Sequence, residues 1–206
     1  MLLKSTTRRL MDGRIILASG SPRRQELLEN LGLRVEVIPS NFDENLIDTD
    51  KYKHFGDYVI DLATSKVQEV AKRLREDGSP EPLLIIGADT IVTKGKKIYG
   101  KPRDDEDARM MLLNFSGNCL FVHTGVCLKT PEKEVKFAEF TEVVFGHLSL
   151  KQIEAYVETG EPKDKAGGFG VQGKGGYLIE RICGDYFTVV GLPMYSTIKH
   201  LNTLFG

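Results

Sequence analysis

The chain is short of cysteine, of long apolar runs and of net charge, and each shortage removes a class of function. Its 206 residues hold three cysteines, Cys119, Cys127 and Cys183. An odd number with no C-x-x-C pair and no zinc-ligand spacing excludes a disulfide framework and a zinc ribbon. They are expected as reduced, mostly core thiols of a cytoplasmic protein. The longest apolar runs, such as Leu83 to Ile86, fall far below the roughly 18 residues that suggest a membrane span, so a soluble protein is expected. Lys and Arg number 28 against 29 Asp and Glu, a net charge of −1. No global basic field would hold a nucleic-acid polymer, so any polyanion it binds must be small and met by local clusters. Internal repeats and long linkers are also lacking, and 206 residues at 41% hydrophobic suit one generous domain.

Residues 1–13 carry Lys4, Arg8 and Arg9 with no acid before Asp12. They lack the continuous apolar stretch of a secretory signal and read as a short lead-in to a domain over 14–206. From there the pattern mixes strands and helices. Ile15 to Ala18 is a strand, and Ser21, Pro22 and Gly32 mark both ends of a helix bearing Leu27, Leu28 and Leu31. Arg34 to Ile38 predicts a strand, 40–53 a loop, and Tyr58 to Leu74 a long amphipathic helix. Leu83 to Ile86 predicts a buried strand interrupted at Gly87-Ala88-Asp89, resumed over Thr90 to Thr93 and turned through Lys94-Gly95-Lys96 into Lys97 to Tyr99. A helix over Asp104 to Leu113, two long strands (119–129 and 134–145) and a helix from Leu150 to Glu158 follow. Beyond a glycine-rich stretch come strands at Tyr177 to Cys183 and Phe187 to Val190, then a last helix behind Pro193. The fold class is α/β with a mixed sheet, because hairpins need antiparallel pairs and the first strand-helix-strand unit favours a parallel one.

Three constellations carry chemistry. In Ser19-Gly20-Ser21-Pro22-Arg23-Arg24, two arginines in a helix's first turn oppose its dipole at roughly 0.3–1 kcal/mol each, so an anion should compensate. Backbone N–H groups, two hydroxyls and two guanidinium forks make a phosphate cradle; pairing with Glu26 or Glu29 is the alternative. In Gly87-Ala88-Asp89-Thr90, a carboxylate in an apolar strand is costly to bury unless it meets a cation, which points Asp89 to a metal or general-base role. Lys101, before Pro102, is placed to reach phosphate unless it is simply solvated. The third stretch, Asp164 to Gly176, has six glycines that permit close backbone approach, and Lys165 and Gln172 add a charge and an amide; a flexible connection is the plainer reading. Gly168 to Lys174 matches G-x-x-x-x-G-K, but Gly175 replaces the hydroxyl residue of a P-loop and a strand follows. Asp43 and Glu44 could supply a metal ligand or form a solvated acidic loop, and His123 lacks a serine or cysteine partner for a triad.

In this order the motifs resemble the Maf family of nucleotide pyrophosphatases, which includes the Maf-like half of a vertebrate methyltransferase-like protein. The landmarks are Leu17 to Leu28, Gly87 to Val92, Lys101-Pro102, His123 to Val126, Gly160-Glu161-Pro162 and Asp164 to Gly173, spread from residue 14 to the C-terminus. The resemblance implies an elongated mixed α/β fold similar to inosine triphosphate pyrophosphatase, with a cleft between two lobes and a homodimer. It also implies cleavage of a nucleoside triphosphate to the monophosphate and pyrophosphate with Mg²⁺ or Mn²⁺. The proton acceptor falls on Asp89 and the phosphate contacts on Ser19, Arg24, Lys66 and Lys101; the residues themselves add Ser21 of the cradle and Lys165 of the glycine-rich stretch as further phosphate contacts, and Asp89 with Glu44 as expected metal ligands. Positions that steer base choice fall on Arg23, Thr90 and Gln172, in the combination of the dTTP and UTP subfamily. Phe169 and Val171 stand where tyrosine and isoleucine are commoner, with bulk conserved. The rival expectation is a nucleotide-binding regulator of cell division that does not catalyse.

Overall fold

A computed structural model describes all 206 residues, Met1–Gly206. The expected lead-in is a helix, α1 (Lys4–Met11), whose Thr6 and Leu10, one turn apart, are buried. It lies on the C-terminal helix, where the Leu3 N–H donates to Asn202 Oδ1 (2.9 Å) and Asn202 Nδ2 donates to the Met1 carbonyl (3.2 Å). After the wholly buried strand β1 (Ile15–Leu17) comes α2 (Pro22–Glu29), with Pro22 in its first turn. Its end is a Schellman turn: Gly32 is left-handed at φ 82°, and the Leu33 N–H reaches the Leu28 carbonyl (3.2 Å). Ser21 is extended as an N-cap should be, but its hydroxyl makes no capping bond.

Next come β2 (Val35–Val37) and α3 (Phe55–Glu76), and the intervening loop holds two single 3₁₀ turns, Glu44–Leu46 and Thr49–Lys51. β3 (Leu84–Lys94) is one unbroken strand of 11 residues, correcting the expected interruption. Gly87 serves packing: a Cβ there would lie 2.4 Å from Val67 Cγ2 on α3. A turn at Gly95 (φ 60°) leads to β4 (Lys97–Tyr99). α4 (Asp105–Phe115) is capped by Asp104, whose carboxylate accepts the Asp107 N–H (2.7 Å). β5 (Cys119–Lys129) and β6 (Glu134–Phe145) match the expected spans, and α5 (Leu150–Val157) opens with a Ser149/Gln152 capping box. β7 (Ile179–Cys183) is followed by a second correction, since Tyr186–Val190 is a helical turn, α6, in place of a strand. Asp185 overrides the β-branched residues there by accepting from the Phe187 and Thr188 N–H groups and the Thr188 hydroxyl. α7 (Met194–Phe205) closes the chain.

The seven strands form one open mixed sheet in the order β2-β1-β3-β5-β6-β7, with β4 beside β3. β1 runs parallel to β2 and β3, while the β3/β4 and β6/β7 pairs are antiparallel. The chain divides into two compact units, one of residues 1–89, 124–139 and 191–206 and the other of 90–123 and 140–190. The core of the first is the α3 stripe Ala63, Val67, Val70, Ala71 and Leu74 against Ile16, Ala18, Ile85 and Cys127. Gly125 lets α3 approach, since a Cβ there would lie 2.3 Å from the Val59 carbonyl. The second unit centres on Phe115, whose ring lies 4.8 Å from Tyr99, 5.6 Å from Phe145 and 6.5 Å from Phe169. No helix is long and apolar enough to cross a membrane. The three cysteines are free, but only Cys127 is buried; Cys119 and Cys183 are exposed, a correction to the core placement expected of them. Both lie near strand ends, where alternation no longer guarantees cover.

Candidate active site

In the first unit, Ser19 lies between the end of β1 and the start of α2; it is 7% exposed, and its hydroxyl is doubly engaged. Ser19 Oγ accepts from Arg24 Nη1 (2.8 Å) and from the Ser21 N–H (3.3 Å), leaving the hydroxyl proton to donate. Arg24 points back from the helix, and its Nε donates to the Gly191 carbonyl (2.8 Å). Burial, the largest influence, lowers the Arg24 pKa from its ordinary value; the Asp89 and Glu44 carboxylates oppose this, and neighbouring Arg23 reinforces it.

Asp89 stands on β3 at 7% exposure, and Lys66 of α3 ion-pairs with its Oδ1. The same ammonium lies 2.6 Å from Glu44 Oε1, so one cation is held between two carboxylates. Burial raises the Asp89 pKa above the ordinary carboxylate range, Lys66 and Arg24 pull it down, and Glu44 adds to the rise. Glu44 itself is half-exposed, and α3 steers its loop: Glu69 accepts from the Ser40 hydroxyl (3.0 Å) and the Asn41 N–H (2.9 Å), and Arg73 donates to the Pro39 carbonyl (2.8 Å). Asp43 instead accepts the Asn45 N–H, capping its own turn. Two protein carboxylates converging on one positive atom suit a divalent ion, which would complete its shell with water and ligand oxygens.

The second unit holds the other candidates. Thr90 follows Asp89 on β3 and is half-buried, and Lys101 is exposed beyond β4. The Gly167 N–H donates to the Gly100 carbonyl (2.9 Å), so the Lys101 turn is tied to the glycine-rich segment. Lys165 Nζ donates to the Glu161 carbonyl (2.8 Å) and to Asp164 Oδ1 (2.6 Å), so its charge is already engaged at home. Gln172 is exposed in a stretch of short 3₁₀ turns, 166–168 and 174–178, and the G-x-x-x-x-G-K match runs into the second of these, not into the α-helix of a P-loop. His123 meets Thr93 Oγ1 through Nε2 (3.1 Å) and is held below its ordinary pKa by burial, as a core histidine would be.

Sequence reasoning missed Tyr58, which α3 places two turns before Lys66 on its buried face. Burial, then the Asp89 and Glu44 charges, raise its pKa. It also missed Glu69, Arg73 and Gly191, whose residue types carry no signal of what they hold. Chemically, the first unit offers a buried base with an adjacent ammonium, guanidinium and hydroxyl, the equipment for activating water beside a phosphate.

Comparison with known proteins agrees with that chemistry. A family model described as "Maf-like protein" matches residues 14–204. The chain is 46% identical over 194 residues to the dTTP/UTP pyrophosphatase of Clostridium perfringens, covering 92% of this chain and 96% of that one. The Bacillus cytotoxicus dTTP/UTP pyrophosphatase is 44% identical over 189 residues, with 92% and 94% covered. A human protein called "Probable bifunctional dTTP/UTP pyrophosphatase/methyltransferase protein" is 43% identical over 213 residues that take in all of this chain but only 34% of the human one.

Proposed function

The chain belongs to the Maf-like protein family, and from that premise we propose that it hydrolyses dTTP and UTP to the monophosphate and pyrophosphate. The observation that carries the reading is Asp89, a carboxylate buried on β3 and paired with Lys66. Asp89 orients a water and takes its proton as the oxygen attacks the α-phosphorus; a pKa raised by burial makes it a better base than an exposed carboxylate. The bond from that phosphorus to the bridging oxygen breaks, and pyrophosphate leaves. Lys66, Lys101 and Lys165 offset the charge carried away, Lys165 by exchanging Asp164 for phosphate. Arg24 is held rigid by Ser19 and Gly191, and Ser19 and Ser21 turn hydroxyl protons toward the phosphates. Arg23, Thr90 and Gln172 select the base.

A Mg²⁺ or Mn²⁺ ion held by Asp89 and Glu44 would polarise the phosphates and lower the pKa of the water. Lys66 lies between the same two carboxylates, and with an ion held there its ammonium would be available to phosphate. A homodimer in the cytoplasm completes the reading; size-exclusion chromatography with light scattering tests the dimer.

The deciding experiment is pyrophosphate release from dTTP, UTP, CTP, GTP, ITP and 7-methyl-GTP at equal concentration in Mg²⁺ and Mn²⁺. Preference for dTTP and UTP is expected, and Asp89→Asn should lose at least about 10²-fold in kcat while still binding dTTP. Preference for a purine would overturn the base assignment, and turnover by Asp89→Asn would remove Asp89 from the chemistry.

A further inference from the structure

The glycine-rich segment that presents Gln172 is gathered onto a single carboxylate. Glu161 Oε1 accepts the Gly175 N–H (3.0 Å) and the Tyr156 hydroxyl (3.1 Å), and Oε2 accepts the Lys174 N–H (2.9 Å). The Tyr156 oxygen in turn accepts the Gly170 N–H (3.2 Å), and the main-chain carbonyl of Glu161 takes the Lys165 ammonium (2.8 Å). One residue therefore grips the segment at its start, through Tyr156 at its middle, and at its end. Gln172 lies between the gripped points, exposed.

The glycines are shaped to this grip. A Cβ on Gly173 would sit 2.6 Å from the Glu161 carboxylate, and one on Gly175 would sit 2.6 Å from the Tyr156 oxygen. Phe169, buried among Phe115 and Phe145, anchors the same segment to the core. Glycines lose more freedom on folding than other residues, so a plain connection between α5 and β7 gains nothing from Gly170, Gly173 and Gly175 packed against Glu161 and Tyr156. A loop that must hold an exposed amide in one place does.

We infer that Glu161 is a positioning residue for nucleotide selection, fixing through its carboxylate the loop that carries Gln172. The inference rests on the proposed pyrophosphatase reading, in which Gln172 meets the base. Tyr156 is the relay: its hydroxyl passes the grip to Gly170.

The test compares Glu161→Ala, Glu161→Gln, Tyr156→Phe, Gln172→Ala and the Glu161→Ala/Gln172→Ala pair for kcat and KM on dTTP, UTP and GTP. Amide hydrogen exchange of residues 165–176 is measured on each protein. Glu161→Ala should raise KM for dTTP about tenfold with a smaller fall in kcat, as a misplaced positioning group does. It should also reduce the dTTP-over-GTP ratio to that of Gln172→Ala. The pair should be no worse than the worse single variant, because both remove the same contact to the base. Glu161→Gln, keeping one acceptor oxygen, should fall between, and Tyr156→Phe, which opens no cavity, should shift the ratio the same way by less. Exchange at Lys174 and Gly175 should rise at least about tenfold in Glu161→Ala. An unchanged ratio in Glu161→Ala or Tyr156→Phe while the wild type turns over, or losses that add in the pair, overturns the inference. Absence of hydrolysis by the wild type on every nucleotide instead brings down the reading beneath it, and the exchange data then decide alone whether Glu161 holds the loop.

Discussion

At Gly87 strand β3 meets helix α3 with no room for a side chain: a Cβ there would lie 2.4 Å from Val67 Cγ2 and 2.8 Å from the Ala63 carbonyl. Lys66 sits between those two contacts along the helix, and Asp89 lies two residues on in the strand, so one glycine sets the separation of the ion pair. Gly87→Ala must push α3 outward, at about 1–3 kcal/mol of stability by urea denaturation and with a fall in kcat. Full activity in a destabilised variant would show that the pair tolerates a shift. Glu44→Gln should cost less in kcat than Asp89→Asn, because Glu44 is 53% exposed at its side chain and water can replace part of what it does, whereas Asp89 is 10% exposed. Equal losses would place both carboxylates in the same role. Arg24 was legible at this scale because two arginines in a helix's first turn are out of place by charge. Lys66 was legible only through the family resemblance and Tyr58 not at all, since a lysine or tyrosine on an amphipathic helix reads the same wherever the helix points.

Among the elements, the long strands and helices were readable because periodicity persists over many residues: β5 and β6 match their expected ends, and α3 extends only a few residues beyond the expected span. The failures lie where a local device overrides pattern. Asp185 captures two N–H groups and turns Val189 and Val190 into a helical end, and the glycine at 87 marks a close approach of helix to strand. Residues 4–11 were too few and too polar to declare a helix alone, because their stability comes from the helix they cover. That dependence is measurable. Leu10 is 1% exposed, so Leu10→Ala should destabilise by about 2–4 kcal/mol in urea denaturation and leave kcat untouched. A change under about 0.5 kcal/mol would mean that α1 lies on α7 without contributing to it.

Over the whole molecule, the contacts that matter most are the ones sequence patterns cannot reach. The bond from Arg24 to Gly191 joins positions 167 apart, and no periodicity or motif encodes such a pair. Burial of the cysteines is another whole-fold property, decided by which strand ends are covered. Cys119 and Cys183 are exposed and should react with a thiol reagent in the native protein, while Cys127, at 0% exposure, should react only on unfolding. Burial is also the main cause that pushes the Cys127 thiol from 9.0 up to about 11. Below pH 9 both folded and unfolded chains keep that proton; between pH 9 and about 11 the unfolded chain loses it and the folded one does not, so stability falls as pH rises. Each pH unit in that window removes about 1.4 kcal/mol. Cys127→Ala has no such group, so the wild type's stability relative to it should be about 1.4 kcal/mol lower at pH 10 than at pH 8, by urea denaturation under reductant. A difference that stays constant with pH would mean that the thiol ionises in place, with water or a cation reaching it between α3 and β5.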